Sequence, residues 1–329
     1  MMTTPTILGI DVAKETVEVF LAVEPARRGH FGNDESGFAQ LSRWLQKQGV
    51  AQVWACLEAT GAYGEALALY LHEQGHWVSV VNPARIKKYG ESKLSRNKTD
   101  RLDAALIADF CSSQKPGRWS PPPPEVRHLQ ALTRRLDDLR ADHVREQNRL
   151  QAGGHATVVR CSIESHLAFL SQQIAQLEQE MQAHVNQHPP LQADQALLLS
   201  IPGIGVKTAA YLLAELPDIR RFSQSAQAVA FAGLSPHRRE SGATIRQRAH
   251  LTPIGQPRLK AALYWPAITA MRFNPLIRAL AERLAQRGKE KMVIVGAAMR
   301  KLLQLAYGVL KSRRPFDPHY AAVKVQLTP

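Results

Sequence analysis

Four carboxylates in the first third of the chain have a spacing that suits a metal site. Asp11 ends the apolar run ILGID, and Glu58 ends a second apolar run, ACLE. Asp100 and Asp103 follow in the segment RNKTDRLDA, and their i, i+3 spacing puts both on one helix face. Oxygen-only ligand sets suit Mg²⁺, with Mn²⁺ as the alternative. Two such ions would polarise a phosphodiester and stabilise its attacking and leaving oxygens.

Each carboxylate also has an ordinary interpretation. Asp11 could end a strand, Glu58 could lie on the surface, and the aspartates could cap a helix, where the helix dipole favours negative charge. The composition around them favours the metal site, because a run of cations lies just upstream of Asp103. These cations are Arg85, Lys87, Lys88, Lys93, Arg96, Lys98 and Arg101. An acidic cluster beside cations suits a negatively charged backbone as substrate.

A serine lies among arginines in the segment HRRESGATIRQR. Ser241 precedes Gly242, which allows sharp exposure of the hydroxyl. A serine that attacks phosphorus needs cations to stabilise the pentavalent charge. The candidates for this role are Arg238, Arg239, Arg246 and Arg248. Alternatively, Ser241 is a DNA-contacting or turn residue, and His237 is either a base or a phosphate contact.

A glycine-rich corner, IPGIGVK, lies between two helical stretches. Gly203 and Gly205 permit a tight hairpin in which backbone N–H groups and the next helix N-terminus face a phosphate, and Lys207 adds a charge. The segment resembles a helix-hairpin-helix, a sequence-independent binder of the DNA backbone. The alternative is a simple helix–turn–helix corner.

The elements around these residues indicate a mixed architecture. Strands are predicted at 6–12, 16–22, 52–58 and 77–81, with a tight turn at 13–15 and helices at 63–75 and 100–111. Strands that pair locally and then alternate with helices imply a mixed α/β sheet with helices packed on it. From Asp194 onward the chain reads as helical.

A proline-rich strap and two long amphipathic stretches separate these parts. The strap, 115–124, contains five prolines and cannot be a helix or a central strand. Apolar residues then recur at 3- and 4-residue spacing, as in a coiled-coil hairpin or a dimerising pair. They are Leu129, Leu132, Leu136, Leu139 and Leu150, and then Ile163, Leu167, Leu170, Ile174, Leu177, Met181 and Val185. His143 and Glu146 interrupt the first stripe, so packing against the body of the protein is the alternative.

The charge is concentrated at the C-terminal end of the chain. The 329 residues carry a net charge of +14, and residues 238–314 contain 17 Lys/Arg against 3 Asp/Glu, which accounts for the whole excess. A basic block on a neutral body favours nucleic acid as partner; the alternative is a surface kept basic for solubility. Three scattered cysteines predict no disulfide framework or Cys-type zinc site. The sequence predicts no secretion signal or membrane span, so we expect a cytoplasmic protein.

Taken together, the motifs GIDVAK, LEATG, RNKTDRLDA, IPGIGVKTA, FAGLSP and RRESG are similar in order and spacing to those of one family. The chain resembles the transposases of the bacterial insertion-sequence 110 family, whose relatives include a pilin-gene invertase. The resemblance implies an α/β plus all-α protein in three parts. These are a RuvC-like (RNase H-type) DEDD metal-binding domain at 1–115, the strap with a coiled-coil-like helical connector at 116–192, and a mainly helical transposase domain at 193–329.

The resemblance also implies the chemistry. The DEDD set falls on Asp11, Glu58, Asp100 and Asp103, and the nucleophilic serine falls on Ser241, which would form a covalent phosphoserine link to DNA. It further implies donor and target DNA as partners, a structured guide RNA encoded by the element, and circular intermediates. Because recombination joins four strands, a homodimer or homotetramer is expected. Two alternatives remain, a RuvC-type junction nuclease that hydrolyses without joining, and a binding protein with a decayed site.

Overall fold

The computed structural model divides into two compact units, Met1–Pro121 and Pro122–Pro329. The residues that it describes are 5–59, 61–93, 100–154, 156–216, 218–237, 240–241, 245–246, 250–251 and 255–319. At some of these positions only the backbone is described, namely 62, 100–102, 220, 237, 240–241, 245–246 and 250. The three-part division drawn from the sequence stays a prediction.

The first unit is a five-stranded mixed sheet covered by helices. Its strands are β1 (Thr6–Val12), β2 (Thr16–Leu21), β3 (Arg27–Gly32), β4 (Val53–Glu58) and β5 (Trp77–Val81). Its helices are α1 (Glu35–Lys47), α2 (Glu65–Glu73), which a 3₁₀ turn at Gly61–Gly64 precedes, α3 (Pro83–Ser92) and α4 (Asp100–Gln114). The strand order is β3-β2-β1-β4-β5; β1 pairs antiparallel with β2 and parallel with β4.

The three-residue connection between β1 and β2 forms the tight hairpin that the sequence predicts. The amide of Ala13 donates to the carbonyl of Thr16 at 2.9 Å, and Val12 is paired with Val17. The strand β3 is an addition that the sequence did not indicate, because RRGHFG has neither an apolar run nor β-branched residues. It is an edge strand, where charged residues are tolerated.

The two faces of the sheet have separate cores. Leu8, Ile10 and Leu57 face the core formed with α1 and α2. On the opposite face, Trp54 and Cys56 pack with residues of α3 and α4. Strand residues two apart share a face, so Gly9, Asp11 and Glu58 lie on the α4 side of the sheet.

The strap after α4 is anchored at β5. Residues 115–123 form no helix or strand, in agreement with their proline content. The Trp119 amide donates to the Val78 carbonyl at 2.6 Å, and the Ser79 hydroxyl donates to the Gly117 carbonyl at 3.0 Å. These contacts fix the end of α4 near the beginning of β5.

The second unit is mainly helical. Its helices are α5 (Pro124–Ala152), α6 (Thr157–Gln187), α7 (Pro189–Leu199), α8 (Val206–Glu215), α9 (Ser225–Phe231), α10 (Pro257–Phe273), α11 (Pro275–Gln286) and α12 (Lys291–Ser312), with a 3₁₀ turn at Ile219–Arg221. Four two-residue strands lie between α9 and α10, namely β6 (Pro236–His237), β7 (Glu240–Ser241), β8 (Ile245–Arg246) and β9 (His250–Leu251). The predicted fold class, α/β plus mainly helical, is confirmed; the short strands depart from the all-helical expectation for this region.

The helices α5 and α6 form an antiparallel hairpin within one chain. Arg140 binds Glu178 at 2.7 Å, and Ser171 lies 3.2 Å from the His143 ring. The predicted stripe on α6 is fully buried only at Leu170, Met181 and Val185. Near the tip, large apolar side chains are exposed, among them Val144, Val158, Val159 and Phe169.

The core of the second unit surrounds α12. Leu302, Leu303 and Ala306 are fully buried there among residues of α8, α9 and α10. Among the described residues, α12 is the one helix with the length and apolar composition of a membrane span, and 61% of its most apolar window is buried within the protein. Core packing accounts for this composition.

Candidate active site

The register of the sheet brings Asp11 and Glu58 side by side. The last parallel pair of β1 and β4 is Ile10 with Leu57, so Asp11 and Glu58 are the next residues on adjacent strands. Directly opposed residues point to the same face. Both residues are half-buried. The two carboxylates therefore share the α4 face at the carboxyl ends of β1 and β4.

Gly9 allows α4 to pack directly on β1. A Cβ at this position would lie 2.1 Å from the Ala104 carbonyl oxygen and 2.5 Å from the Ala108 nitrogen. Both distances are far below van der Waals contact, so only glycine fits. Because Gly9 is two residues before Asp11 and Ala104 follows Asp103, this contact sets how closely α4 approaches the acidic end of β1.

The aspartates of α4 lie at the beginning of that helix. Asp100 is its first residue, and Asp103 is half-buried one turn later. The helix ends at the strap that contacts the beginning of β5. The helix α4 therefore begins near the carboxyl ends of β1 and β4, where Asp11 and Glu58 lie. All four positions thus share this end of the sheet, although only the backbone of Asp100 is described.

Sequence reasoning missed a third carboxylate on this face. Glu18 on β2 is directly opposite Asp11, and His30 on β3 is opposite Glu18. The His30 Nδ1 lies 2.7 Å from a Glu18 carboxylate oxygen. Like charges directly opposite each other destabilise a sheet unless a cation offsets them. The pair of Asp11 and Glu18 could have been found from the sequence, because TVEVFL alternates and a three-residue turn sets its register with β1.

The donor set is chemically suited to a divalent ion. Asp11, Glu58, Asp103 and Asp100 supply carboxylate oxygens only, which Mg²⁺ and Mn²⁺ prefer. Among the residues with described side chains, no three acidic, histidine or cysteine side chains converge into a metal cluster. A complete site therefore requires Asp100, whose side chain lies outside the description.

The cysteine next to Glu58 is not suited to nucleophilic chemistry. Cys56 and Cys111 are both fully buried, with free thiols, in the core between β4 and α4. Hydrogen bonding to the Cys111 thiol, followed by burial, raises the pKa of the Cys56 thiol well above its usual range. The reactive form of cysteine is the thiolate, so this thiol is inert at neutral pH.

Ser241 belongs to a narrow β arm. Pairing of Pro236 with Leu251 closes its base, and Ser241 pairs with Ile245 farther out. The side chains of Ser241, Arg246 and His237 are not described, and Arg238, Arg239 and Arg248 lie outside the described residues. Their predicted phosphate contacts stay predictions.

The two ends of the arm meet at a pair of glycines. A Cβ on Gly255, whose φ is +137°, would lie 2.3 Å from the Gly233 nitrogen. The Gln256 amide donates to the Phe231 carbonyl at 2.9 Å, and its side-chain amide donates to Glu215 at 3.1 Å. The base of the arm is thus fixed to α8 and α9, and we call this glycine contact the neck.

The glycine-rich corner joins α7 to α8 as predicted. A Cβ on Gly203 would lie 2.6 Å from the Ala270 side chain, so Gly203 packs on α10, whereas nothing lies within 4 Å of a Cβ on Gly205. The Lys207 ammonium binds Glu178 at 2.6 Å. Burial favours a higher pKa for Glu178, but Lys207 and Arg140 outweigh it and lower the pKa. No local sequence pattern indicates this partner for Lys207.

Comparisons with known proteins identify the class of protein that this fold represents. Residues 8–153 match a family model for DEDD transposases of the IS110 type, described as "Transposase". Residues 195–282 match a second model, described as "Transposase IS116/IS110/IS902 family". The chain is therefore a transposase, a class of DNA-cleaving recombinase, and its DEDD-type domain is typical of divalent-metal use.

Individual relatives identify the family. The pilin gene-inverting protein of Moraxella bovis is 33% identical over 316 residues, 95% of this chain and 98% of that protein. The transposase for insertion sequence element IS1328 of Yersinia enterocolitica is 25% identical over 267 residues, 72% of this chain and 75% of that protein. This chain belongs to the IS110 transposase family, as its motifs predict.

Proposed function

We propose that the protein recombines DNA through a phosphoserine intermediate on Ser241, assisted by a metal site at Asp11, Glu58, Asp100 and Asp103. The observation that supports this proposal most is the register of β1 and β4, which makes Asp11 and Glu58 neighbours on the face that α4 covers. A bound divalent ion would neutralise charge that develops on the scissile phosphate.

In the proposed reaction the Ser241 hydroxyl loses its proton and forms one Oγ–P bond while one P–O bond of the DNA breaks. The leaving oxygen takes up a proton. The phosphoserine retains the broken diester as a new diester, so the reverse attack by a strand end rejoins DNA without an energy source. Asp11 and Glu58 would hold the metal ion, and the arginines around Ser241 would bind phosphate oxygens.

Trapping the covalent product tests the serine. Protein incubated with substrate DNA and Mg²⁺ should give a protein–DNA band on a denaturing gel, and Ser241→Ala should abolish that band. Ser235 lies next to the pairing that closes the base of the arm, and Ser235→Ala should retain the band. If Ser241→Ala still cleaves at the wild-type rate, the protein hydrolyses DNA as a RuvC-type nuclease does.

Replacement of a carboxylate tests the metal site. Asp11→Asn should abolish Mg²⁺-dependent cleavage, because one ligand oxygen is replaced by a neutral amide. The matched control is Asp109→Asn on α4, since Asp109 binds Lys93 and Tyr89 of the α3 segment. Full activity in EDTA would remove the metal from the proposal.

We also propose that a structured RNA encoded by the element guides target choice. The support is indirect: aromatic residues are only 6% of the chain, and the sequence has no homeodomain or zinc-finger module to read bases. RNA that co-purifies with the protein should be sequenced and should pair with donor and target DNA. Sequence-specific DNA binding by RNase-treated protein would contradict guidance.

We propose that the active form is a homodimer or homotetramer, with the α5–α6 hairpin as a candidate contact. The exposed apolar side chains near its tip, among them Phe169 and Val158, support this proposal. Light scattering should show an oligomer that Val158→Ser/Phe169→Ser weakens. Oligomers of unchanged mass in this variant would exclude the tip as the contact.

A further inference from the structure

A groove lies between α11 and α12, in the second unit. Its volume is about 610 Å³. Its apolar lining consists of Leu276, Ala279, Leu280 and Ala297. Four further side chains supply hydrogen-bond donors, namely Arg283, Arg300, Lys301 and Gln304. Of the described residues that line it, none is acidic. The groove therefore offers three cations and an amide on an aliphatic floor.

The cations of this groove differ from those at the base of the hairpin. There, Arg140 and Lys207 both bind Glu178, and Arg258 lies 3.6 Å from Asp137. Within the described parts of the chain, Arg283, Arg300 and Lys301 form no ion pair. Unpaired cations on a shared surface are costly to keep together unless an anionic ligand offsets their repulsion.

The dimensions of the groove suit a nucleic-acid strand. Leu276 and Arg283, and likewise Ala297 and Gln304, are seven helical rises apart, or about 10 Å. A groove of this length accommodates a short stretch of sugar–phosphate backbone, in which each phosphate carries one negative charge. The surrounding segment 255–319 carries 13 basic and 3 acidic residues, so the positive field extends beyond the groove.

We propose that this α11–α12 groove binds the phosphate backbone of a nucleic-acid strand. None of the described residues that line the groove belongs to the DEDD set or to the arm that contains Ser241. The proposal depends on the proposed function only in its choice of nucleic acid as the polyanion. Arg283 and Arg300 supply planar donors that match phosphate oxygens, and Lys301 supplies a point charge.

Salt-dependent binding of the full-length protein tests the proposal. The groove variant is Arg283→Gln/Arg300→Gln/Lys301→Gln, and the matched control, Arg27→Gln/Arg43→Gln/Lys47→Gln, removes the same charge from exposed positions of the first unit. Probes are a short DNA duplex and an RNA duplex of unrelated sequence. Loss of three phosphate contacts should reduce the slope of log affinity against log salt by about two to three. The control should change it by less than one.

The outcomes separate the sources of the backbone. Loss with DNA alone assigns the groove to DNA, loss with RNA alone assigns it to RNA, and loss with both assigns it to either backbone. If the groove variant matches the control with both nucleic acids, the proposal is overturned. Loss of binding to poly-glutamate alone overturns it in favour of an acidic protein partner. Circular dichroism must show that the variant is folded.

The test is independent of the serine mechanism. A groove variant that binds normally while the Ser241 link still forms rejects the groove and leaves the proposed function intact. If the groove variant binds nucleic acid more weakly and the wild-type protein forms no Ser241 link to DNA, the groove proposal is supported and the serine mechanism is rejected.

Discussion

In the first unit, Asp11 and Glu58 lie on adjacent strands in the middle of a sheet, whereas in the second unit Ser241 lies on a narrow arm. The sheet fixes its carboxylates through register, a core on each face and the contact of Gly9 with α4. Within the described residues, the arm is fixed at the neck, by two-residue ladders and by Leu251, which packs on the core of the second unit. A metal site needs several groups held to within a fraction of an ångström, whereas a nucleophile needs to reach a phosphate. Under the proposed function, the difference in support follows these needs.

The largest effect should come from Gly9→Ala, which disturbs the sheet, the more rigid of the two regions. Its Cβ would collide with the backbone of α4 and displace the helix from Asp11. We expect metal-dependent cleavage to fall by about 100-fold and unfolding to become easier by about 1–3 kcal/mol. Cleavage rates and urea denaturation measure both. The control is Gly117→Ala, with nothing within 4 Å of the new methyl; a wild-type rate for Gly9→Ala would break the comparison.

A smaller effect should follow from Gly255→Ala, which deforms the neck. The methyl meets the Gly233 backbone and rotates the arm at its base. We expect the covalent protein–DNA product to form about ten times more slowly. The rise in melting temperature on addition of Mg²⁺ should be unchanged, since the substitution does not alter the four DEDD carboxylates. Gly308→Ala is the control; equal losses in both variants would show that the neck has no special role.

The charge row across β4, β1 and β2 gives a third test. Glu18→Gln removes the carboxylate opposite Asp11, so the metal-free protein should gain a few tenths of a kcal/mol. Metal affinity should fall by about tenfold, as is usual when a neighbouring partner is lost. Calorimetric titration with Mn²⁺ measures the affinity. Glu73→Gln on α2 is the control. Unchanged Mn²⁺ affinity in Glu18→Gln would mean that Glu18 does not contribute to metal binding and that the site consists of the DEDD set.

The smallest effect concerns the corner between α7 and α8. Glu178→Gln releases Lys207 from its partly exposed ion pair, so Lys207 becomes available to DNA phosphates. Such pairs contribute about 0.2–1 kcal/mol, so DNA affinity should rise by about two- to fivefold. Fluorescence anisotropy measures this change, with Glu180→Gln as the control on the same helix. Unchanged affinity would mean that Lys207 does not contact DNA.

Local patterns predicted the parts of the molecule that depend on local physics. The hairpin of β1 and β2, the strand β5 and the beginning of α4 at Asp100 follow from alternation, turn length and periodicity. The strand β3 was missed because its pairing with β2, not its own RRGHFG sequence, makes it a strand. The ion pair of Lys207 with Glu178 joins residues 29 positions apart on different helices, and no local pattern indicates it.

The candidate site was predicted unevenly for the same reason. The residue types and strand ends indicated Asp11 and Glu58, and the register explains why they are neighbours. Glu18 was missed because its significance depends on the residue opposite it. The stripe on α6 was predicted as continuous, but it is buried only at Leu170 and where Met181 and Val185 reach the core of the second unit, whereas Ile163 and Leu167 are half-buried.

The neck has a consequence for protein engineering. Because Gly233 and Gly255 meet, the chain leaves and re-enters the helical body at a single point. A corresponding segment from another member of the family could be joined at the same two glycines, provided that Leu234 and Leu251, which pack on the core of the second unit, are kept. The chemistry proposed for Ser241 could then be replaced as a unit, in the way that antibody loops are grafted onto a constant framework.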